Sequence, residues 1–326
     1  MRNRIHLLFL IMAISVIANA QDKTPNVKVE FVTPKIIRVQ WSADGSLPGN
    51  NTGVCVYERQ KVKSEEVVVK NEGGCISFID RKTGKTLLRD VARESEPVVQ
   101  ERIVYDDATA RMEETANGKV TVKDIIRRDT IGESTRYISH FSCPDTKALY
   151  GLGAHMEDYM NLVGKTMWLT QHNLKVMIPV LMSPQGYGLL FDAGCAMKYS
   201  SDGKGFTMQM EAAKQIDYYF IKGDRMEDIV EGYRYLTGRV QLLPLYAFGY
   251  MQSKERYVSS DDLINTLREY RRRHVPVDMI VQDWNYWPEG WGYMKMNRKY
   301  YPDPKAHDDS IHAMTAKLMR GRGANP

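Results

Sequence analysis

The residues that could do chemistry are concentrated near the end of the chain, where a short apolar run stops at a carboxylate. Val277 to Gln282 is followed directly by Asp283 and Trp284, and Trp287 and Trp291 follow shortly after. Aromatic faces pack against the apolar C–H surfaces of sugar rings, and a carboxylate accepts hydrogen bonds from sugar hydroxyls. The pattern predicts a carbohydrate-binding mouth. Core packing is the alternative for the tryptophans, and a helix cap or buried ion pair is the alternative for Asp283.

Alternating strand-like and helical segments must position this mouth. Leu245 to Gln252 and Val277 to Gln282 are typical of buried strands, and Ser259 to Asp262 opens a helix with a cap and an acidic first turn. A second helix is predicted over His307 to Leu318. This order favours an α/β fold with parallel strands, in which chemistry lies at the carboxyl ends of the strands. Asp283 stands at such an end.

The earlier part of the chain predicts many short strands. Val27 to Phe31 and Ile37 to Trp41 alternate, and Ile76 to Leu88 is typical of a hairpin that turns at Gly84. Strands at this spacing favour a β-sandwich, whereas Met226 to Leu236 carries apolar residues at helical spacing. The predicted domains are a β-sandwich over residues 21–222, a helical connector over 223–244 and the opening of a barrel over 245–326.

Residues 1–20 are typical of a signal peptide. Arg2 and Arg4 give a positive start, Leu7 to Ile17 is apolar but too short to cross a bilayer, and Ala18-Asn19-Ala20 fits a cleavage site. The alternative is an uncleaved anchor. The sequence therefore predicts export to the periplasm or the exterior, with no membrane contact after cleavage.

Charge and motif spacing exclude several classes of function. A formal charge of +5 over 326 residues is weak for a nucleic-acid binder, so no such partner is expected. Gly151-x-Gly153 lacks the third glycine of a dinucleotide fingerprint, so no cofactor is predicted. His155-Met156-Glu157 has no second histidine at metal-ligand spacing, so no metal site is predicted either.

The cysteines fit no metal or redox pattern. They are Cys55, Cys75, Cys143 and Cys195, and none forms a C-x-x-C pair. A disulfide between Cys55 and Cys75 is the most local possibility in an exported protein, and buried free thiols are the alternative.

Over essentially its whole mature length the chain resembles glycoside hydrolase family 31, which includes α-glucosidases and α-xylosidases. The most specific stretches are Val275-Pro276-Val277-Asp278 through Asp283-Trp284, with Tyr301-Pro302-Asp303-Pro304 behind them. The other matching stretches, in order, are Tyr150-Gly151-Leu152-Gly153, Gly164-Lys165 through Gln171-His172-Asn173, Pro179 through Ser183 with Gly186-Tyr187-Gly188, Asp217-Tyr218-Tyr219-Phe220, Tyr235-Leu236-Thr237-Gly238-Arg239 and Pro244 through Gln252. Their order and spacing together make the resemblance specific.

The resemblance implies a mutarotase-like β-supersandwich packed on a (β/α)8 TIM barrel. It also implies a retaining mechanism, in which two carboxylates about 5 Å apart flank the scissile bond. Asp283 would bind a hydroxyl of the −1 sugar and Trp284 would line the same subsite. Asn173 would lie in a sandwich loop that reaches over the active site. The expected substrates are oligosaccharides of the xyloglucan or α-glucan type.

In this family both catalytic carboxylates are aspartates on later barrel strands, so the nucleophile and the acid/base are expected beyond Pro326. A complete barrel takes about 250 residues, whereas residues 245–326 leave room for about two βα units. Arg320 to Pro326 is basic and glycine-rich, with no β-forming residue. The chain is thus expected to be an inactive N-terminal fragment of an α-glycosidase, with α-xylosyl release favoured over α-glucosyl release. A non-catalytic carbohydrate-binding remnant is the alternative, and the oligomeric state stays open.

Overall fold

The computed structural model describes residues 27–48, 52–58, 62, 65–115, 118–172, 174–288 and 295–321. The chain divides into two compact units, one up to Arg239 and the other from Val240. The predicted signal peptide, over residues 1–20, lies outside the described residues. None of the helices in the described part of the chain is long and apolar enough to cross a membrane.

The first unit is built from antiparallel strands. In chain order they are β1 (Lys28–Thr33), β2 (Ile36–Trp41), β3 (Val67–Glu72), β4 (Cys75–Asp80), β5 (Thr86–Tyr105), β6 (Arg111–Thr115), β7 (Gly118–Val122), β8 (Ile125–Ser142), β9 (Tyr150–Ala154), β10 (Thr166–Leu169), β11 (Val176–Ser183), β12 (Tyr187–Phe191), β13 (Met197–Ser201), β14 (Gly205–Ala213) and β15 (Ile216–Lys222). One sheet has the order β1-β2-β15-β12-β11-β9 and the other β10-β13-β14-β8-β5-β4-β3, while β6 and β7 form a hairpin.

The core of this unit lies between the two sheets. Strand β14 alternates, with Phe206, Met208 and Met210 buried and the residues between them partly exposed. Phe78 on β4 stacks on Phe220 on β15 with ring centroids 4.1 Å apart, which joins the two sheets directly. Alternation buries one face of each sheet against the other, so the predicted β-sandwich is confirmed.

A buried polar network also joins the two sheets. The carboxylate of Asp90 accepts hydrogen bonds from the Tyr218 hydroxyl at 2.5 Å and from Arg93 Nη2 at 2.7 Å and Nε at 3.0 Å. Burial raises the pKa of the Asp90 carboxyl, and Arg93 and Tyr218 oppose that rise. All three side chains are almost completely buried, so each depends on the others to satisfy its polar atoms.

Helix α1 (Met226–Thr237) packs on the first of these sheets. Ile229 and Leu236 are buried in a cluster with sheet residues that include Ile221. Gly232 lets the helix approach closely, because a Cβ there would lie 2.5 Å from Ile221 Cγ2. The predicted helical segment is confirmed, and it belongs to the first unit.

The second unit is a parallel three-stranded sheet with two helices. Its elements are a 3₁₀ helix (Leu245–Phe248), β16 (Met251–Gln252), α2 (Ser260–Arg272), β17 (Met279–Gln282), a second 3₁₀ helix (Trp284–Tyr286), α3 (Pro304–Ala313) and β18 (Lys317–Arg320). The strand order is β16-β17-β18 with parallel pairing. Leu263 and Leu267 of α2 bury against Ile280 and Ile311, so the helices cover an apolar face of the sheet.

The prediction of a continuous strand over Leu245 to Gln252 was wrong. Ala247 N–H donates to Pro244 O and Gly249 N–H donates to Tyr246 O. These backbone donors are therefore used in local turns and do not pair with an adjacent strand. Only Met251–Gln252 pairs with β17. Leu245 is 87% exposed, which shows that this apolar residue is not in the core.

The helix predicted over His307 to Leu318 was also wrong in its limits. Asp303 caps α3 at its start by accepting a hydrogen bond from Ala306 N–H at 3.0 Å, and the helix ends at Ala313. Thr315 then takes a positive φ of 57°, which stops helical propagation. Lys317–Arg320 forms a third parallel strand after the two expected βα units, so the expectation that no strand follows the second helix was wrong.

The possible disulfide between Cys55 and Cys75 does not form, and the alternative of free thiols holds for both residues. Cys55 packs with the cluster beneath helix α1, whereas Cys75 begins β4 in the opposite sheet and its thiol donates to Val91 O at 3.3 Å. The two residues therefore lie on different layers. Cys143 and Cys195 are also free.

His307 is a buried histidine between the two helices of the second unit. Its Nδ1 lies 2.7 Å from Ser260 Oγ and its ring packs edge-on against Tyr301. Burial lowers the pKa of His307; Arg320 adds to this effect and Asp308 opposes it. The folded state therefore disfavours the protonated imidazole.

We expect His307 to make the second unit less stable in acid. The unfolded chain takes up a proton near the ordinary histidine pKa of about 6.5 while the folded chain does so only at lower pH. The contribution of His307 to stability is therefore present above that pKa and is lost as the pH falls below it. His307→Gln should reduce the fall of the melting temperature with decreasing pH, measured by thermal unfolding followed by tryptophan fluorescence. His312→Gln, at an exposed position of the same helix, is the matched control. Equal acid sensitivity of His307→Gln and the parent chain would contradict the assignment.

Candidate functional site

The candidate site lies at the carboxyl edge of the parallel sheet, where β17 ends. Asp283 follows Gln282 directly and its Oδ1 accepts a hydrogen bond from Trp284 N–H at 2.8 Å. The carboxylate therefore caps the short 3₁₀ helix, as one alternative from the sequence anticipated. Within the described ranges Asp283 forms no other hydrogen bond or ion pair, and its side chain is only partly buried. Oδ2 is available to a ligand.

The end of β18 shapes one side of this carboxylate. Gly321 N–H donates to Gln282 O at 2.9 Å, and Tyr286 hydroxyl donates to Gly321 O at 3.0 Å. A Cβ on Gly321 would lie 2.8 Å from Asp283 Oδ1. A side chain at position 321 would therefore press on the carboxylate, and glycine keeps the approach to Asp283 open.

The structure brings Trp284 beside Asp283 but places Trp287 elsewhere. Trp284 is half-buried, with the Arg256 guanidinium 5.8 Å from its ring. Trp287 is 5% exposed and packs in a cluster with Tyr286 and Tyr301, which is the environment expected of a packing residue. Trp291 and Asn173 lie outside the described residues. The sugar-binding roles of all these residues stay predictions.

Two polar side chains at the same edge were missed by sequence reasoning. Gln252, the last residue of β16, accepts hydrogen bonds from the hydroxyls of Tyr250 and Tyr270 through Oε1. Arg320, the last residue of β18, donates from Nε to Gln282 Oε1 at 3.1 Å and forms an ion pair with Asp308. Each ends a parallel strand. Gln252 already ended a predicted strand, and a prediction of β18 would have identified Arg320.

The arrangement suits recognition of a polyhydroxylated ligand. A carboxylate oxygen, a half-buried indole and fixed amide and guanidinium groups stand at the ends of neighbouring parallel strands, where ligands of such sheets bind. No cluster of three or more histidine, cysteine or acidic side chains placed to hold a metal ion occurs in the described part of the chain.

Comparisons of this chain with known proteins all point to one family. Residues 240–320 match the sequence model of the glycosyl hydrolases family 31 TIM-barrel domain. An α-xylosidase of Saccharolobus solfataricus is 32% identical over 315 residues, covering 90% of this chain and 39% of that protein. Alpha-xylosidase A of Aspergillus niger is 28% identical over 152 residues, covering 45% of this chain and 20% of that protein. The chain thus spans well under half the length of these relatives.

Solved structures agree at the level of the fold. A family 31 α-xylosidase from Xanthomonas citri superposes with a TM-score of 0.72 at 20% identity, covering 92% of this chain and 48% of that one. A family 31 α-xylosidase from a soil metagenome, solved with xylose, gives a TM-score of 0.68 at 26% identity, covering 90% and 44%. With its sandwich, its matched second unit and these relatives, the chain is a member of glycoside hydrolase family 31.

Proposed function

We propose that this chain supplies substrate recognition to a retaining, exo-acting α-glycosidase that releases α-xylosyl or α-glucosyl residues from oligosaccharides. The observation that carries the proposal is the position of the Asp283 carboxylate. Its carboxylate has a free Oδ2 at the carboxyl end of β17, beside Trp284 and inside the stretch that matches the family's barrel domain. The α-xylosidases among the relatives support the reaction class.

The second unit is proposed to be the opening of a (β/α)8 barrel, and the first unit a supersandwich. The support is the order of parallel strands and helices, β16-α2-β17-α3-β18, together with the family match over residues 240–320. In such barrels the strand ends carry the active site, which is where Asp283 lies. Export through residues 1–20 is part of the same proposal.

In the proposed site Asp283 Oδ2 accepts a hydrogen bond from a hydroxyl of the −1 sugar. The Trp284 ring offers an apolar surface to the sugar ring, and Trp291 and Asn173 are proposed to complete the mouth. A charge-assisted hydrogen bond that strengthens in the oxocarbenium-like transition state would contribute to rate as well as binding. The two carboxylates that a retaining mechanism needs, about 5 Å apart, are proposed to belong to later strands of the barrel.

A hybrid enzyme tests the reaction class and the sugar preference. Residues 21–320 of this chain are joined to the part of the Saccharolobus solfataricus α-xylosidase that follows the matched region, and the intact relative is the positive control. We expect faster release of 4-nitrophenol from the α-xyloside than from the α-glucoside. A large excess on the glucoside would reject the xylosyl preference. A folded hybrid without activity on either would reject the glycosidase proposal.

A further inference from the structure

A second candidate site lies in the first unit, against strand β9. It is a cavity of about 360 Å³ whose polar lining consists of Tyr150, His155, Glu157, Asp158 and Tyr159. This volume is within the range of about 300 to 1,000 Å³ that is typical of small-ligand pockets. All of these residues belong to the first unit, so the cavity calls for its own explanation.

The backbone beneath the cavity is unusual. Three consecutive residues of β9 have positive φ angles: Gly151 at 109°, Leu152 at 61° and Gly153 at 99°. A Cβ would lie 2.2 Å from Val180 O at Gly151 and 2.0 Å from Val176 O at Gly153. Leucine rarely adopts this conformation, and such strain is concentrated at binding sites, where the surrounding structure must hold it in place.

One carboxylate in the cavity is held in a fixed, charged state. Glu157 Oε1 accepts a hydrogen bond from Lys175 Nζ at 2.6 Å, and His155 Nδ1 lies 2.9 Å from Oε2. The hydrogen bond from Lys175 holds the pKa of Glu157 below its ordinary value. The His155 side chain is 8% exposed, and its Nε2 makes no hydrogen bond to any residue in the described ranges. That nitrogen is left for a ligand.

Three more polar groups in the lining have no internal partner. The Tyr150 hydroxyl, the Asp158 carboxylate and the Tyr159 hydroxyl form no hydrogen bond or ion pair with any other residue that the structure describes. The Tyr159 ring is held by the Lys165 ammonium, 4.9 Å from its centroid, and by the imidazole of His155 at 6.0 Å. The cavity thus combines a positioned aromatic ring with several uncommitted donors and acceptors.

The charges in and around the cavity indicate a neutral ligand. Glu157 is matched by Lys175, which leaves Asp158 as the one unpaired carboxylate among the described residues that line the cavity. This unpaired carboxylate repels an anion and supplies too few ligands for a metal ion, whereas it can accept hydrogen bonds from the hydroxyls of a neutral ligand. Aromatic surface combined with many hydrogen-bonding groups is what a polyhydroxylated ring requires.

We propose that this cavity is a second saccharide-binding site, formed by residues of the sandwich alone. It takes a neutral sugar ring, with His155 Nε2 and Asp158 bonding hydroxyls and Tyr159 contacting the ring. The choice of a saccharide rests on the proposed function, whereas the existence of a ligand site rests on the cavity alone.

The test is calorimetric titration of the whole chain with D-xylose, D-glucose and a xyloglucan heptasaccharide. All measurements use the Asp283→Ala background, which separates this cavity from the site in the second unit. Asp158→Ala should weaken binding about fivefold, as expected for the loss of one hydrogen bond. Asp158 is exposed and has no described internal partner, so its loss should not affect folding. His155→Ala should weaken binding at least as much. Met156→Ala, 63% exposed and outside the lining, is the matched control.

Two results would overturn the proposal. One is that none of the three sugars binds to the folded Asp283→Ala chain at tens of millimolar, the weak end of measurable affinity. The other is that Asp158→Ala and His155→Ala bind as tightly as Met156→Ala. An inactive hybrid enzyme combined with binding that is sensitive to Asp158 would reject the glycosidase function and keep this site.

Discussion

Replacing Asp283 by asparagine in the hybrid enzyme should lower kcat/KM on 4-nitrophenyl α-xyloside by about 10- to 100-fold. Asparagine keeps the volume, and its Oδ1 can still accept the hydrogen bond from Trp284 N–H that caps the short 3₁₀ helix. What disappears is the negative charge on Oδ2, which is proposed to accept a sugar hydroxyl. Initial rates over a range of substrate concentrations measure the effect.

A matched control separates substrate recognition from helix capping. Asp303 also caps a helix in the second unit, accepting a hydrogen bond from Ala306 N–H. If Asp283 only stabilises the fold, Asp303→Asn should reduce kcat/KM about as much as Asp283→Asn. We expect Asp303→Asn to leave kcat/KM within about twofold of the parent hybrid, since a surface cap contributes only to stability. Similar losses for both variants would reject the sugar-binding role.

Asp90→Ala should lower the free energy of unfolding of the first unit by about 3 to 5 kcal/mol. The substitution leaves the guanidinium of Arg93 buried with a single hydrogen bond, to Gly74 O. It also removes the acceptor of the Tyr218 hydroxyl, which crosses from the opposite sheet. Urea unfolding followed by circular dichroism measures the loss.

The exposed ion pair between Arg81 and Glu65 provides the comparison. Its side chains are 52% and 43% exposed at a distance of 2.9 Å, so water screens both charges. Glu65→Ala should therefore change the free energy of unfolding by no more than about 1 kcal/mol. The loss of unfolding free energy for Tyr218→Phe should fall between those for Asp90→Ala and Glu65→Ala, because Tyr218→Phe removes one hydrogen bond and keeps the ion pair. A cost for Asp90→Ala no larger than that for Glu65→Ala would contradict the role of the network.

The sandwich and helix α2 could be predicted because their signals are local. The alternation of apolar and polar residues in strands such as β14 predicts directly which side chains are buried. Ser259 accepts a hydrogen bond from Asp262 N–H, which is the cap that the sequence predicted. In both cases the residues that carry the signal are close in sequence to the structure they specify.

Elements that depend on distant partners were predicted poorly. The apolar run from Leu245 was assigned to a strand, although Pro244 and Gly249 direct local turns within it. Strand β18 has no β-branched residue, and it forms because its backbone pairs in parallel with β17. A short stretch of sequence alone cannot decide between a turn and a strand at Leu245, or show that β18 has a strand to pair with.

The same contrast holds for the candidate sites. Asp283 was placed at a strand end from the apolar run before it, and the structure has it there. The roles of Gln252 and Arg320 required the strand order. The cavity in the first unit was not anticipated, because Glu157 and Lys175 meet only through the pairing of β9 with β11.

The α-glycosidase role of the strand end at Asp283 is tested most directly by the reaction of the hybrid enzyme with the two anomers of 4-nitrophenyl xyloside. We expect hydrolysis of the α-anomer, dependence of that rate on Asp283, and no comparable hydrolysis of the β-anomer. Equal rates on both anomers, or a rate on the α-anomer that Asp283→Asn leaves unchanged, would contradict the assignment of this strand end as part of an α-glycosidase site.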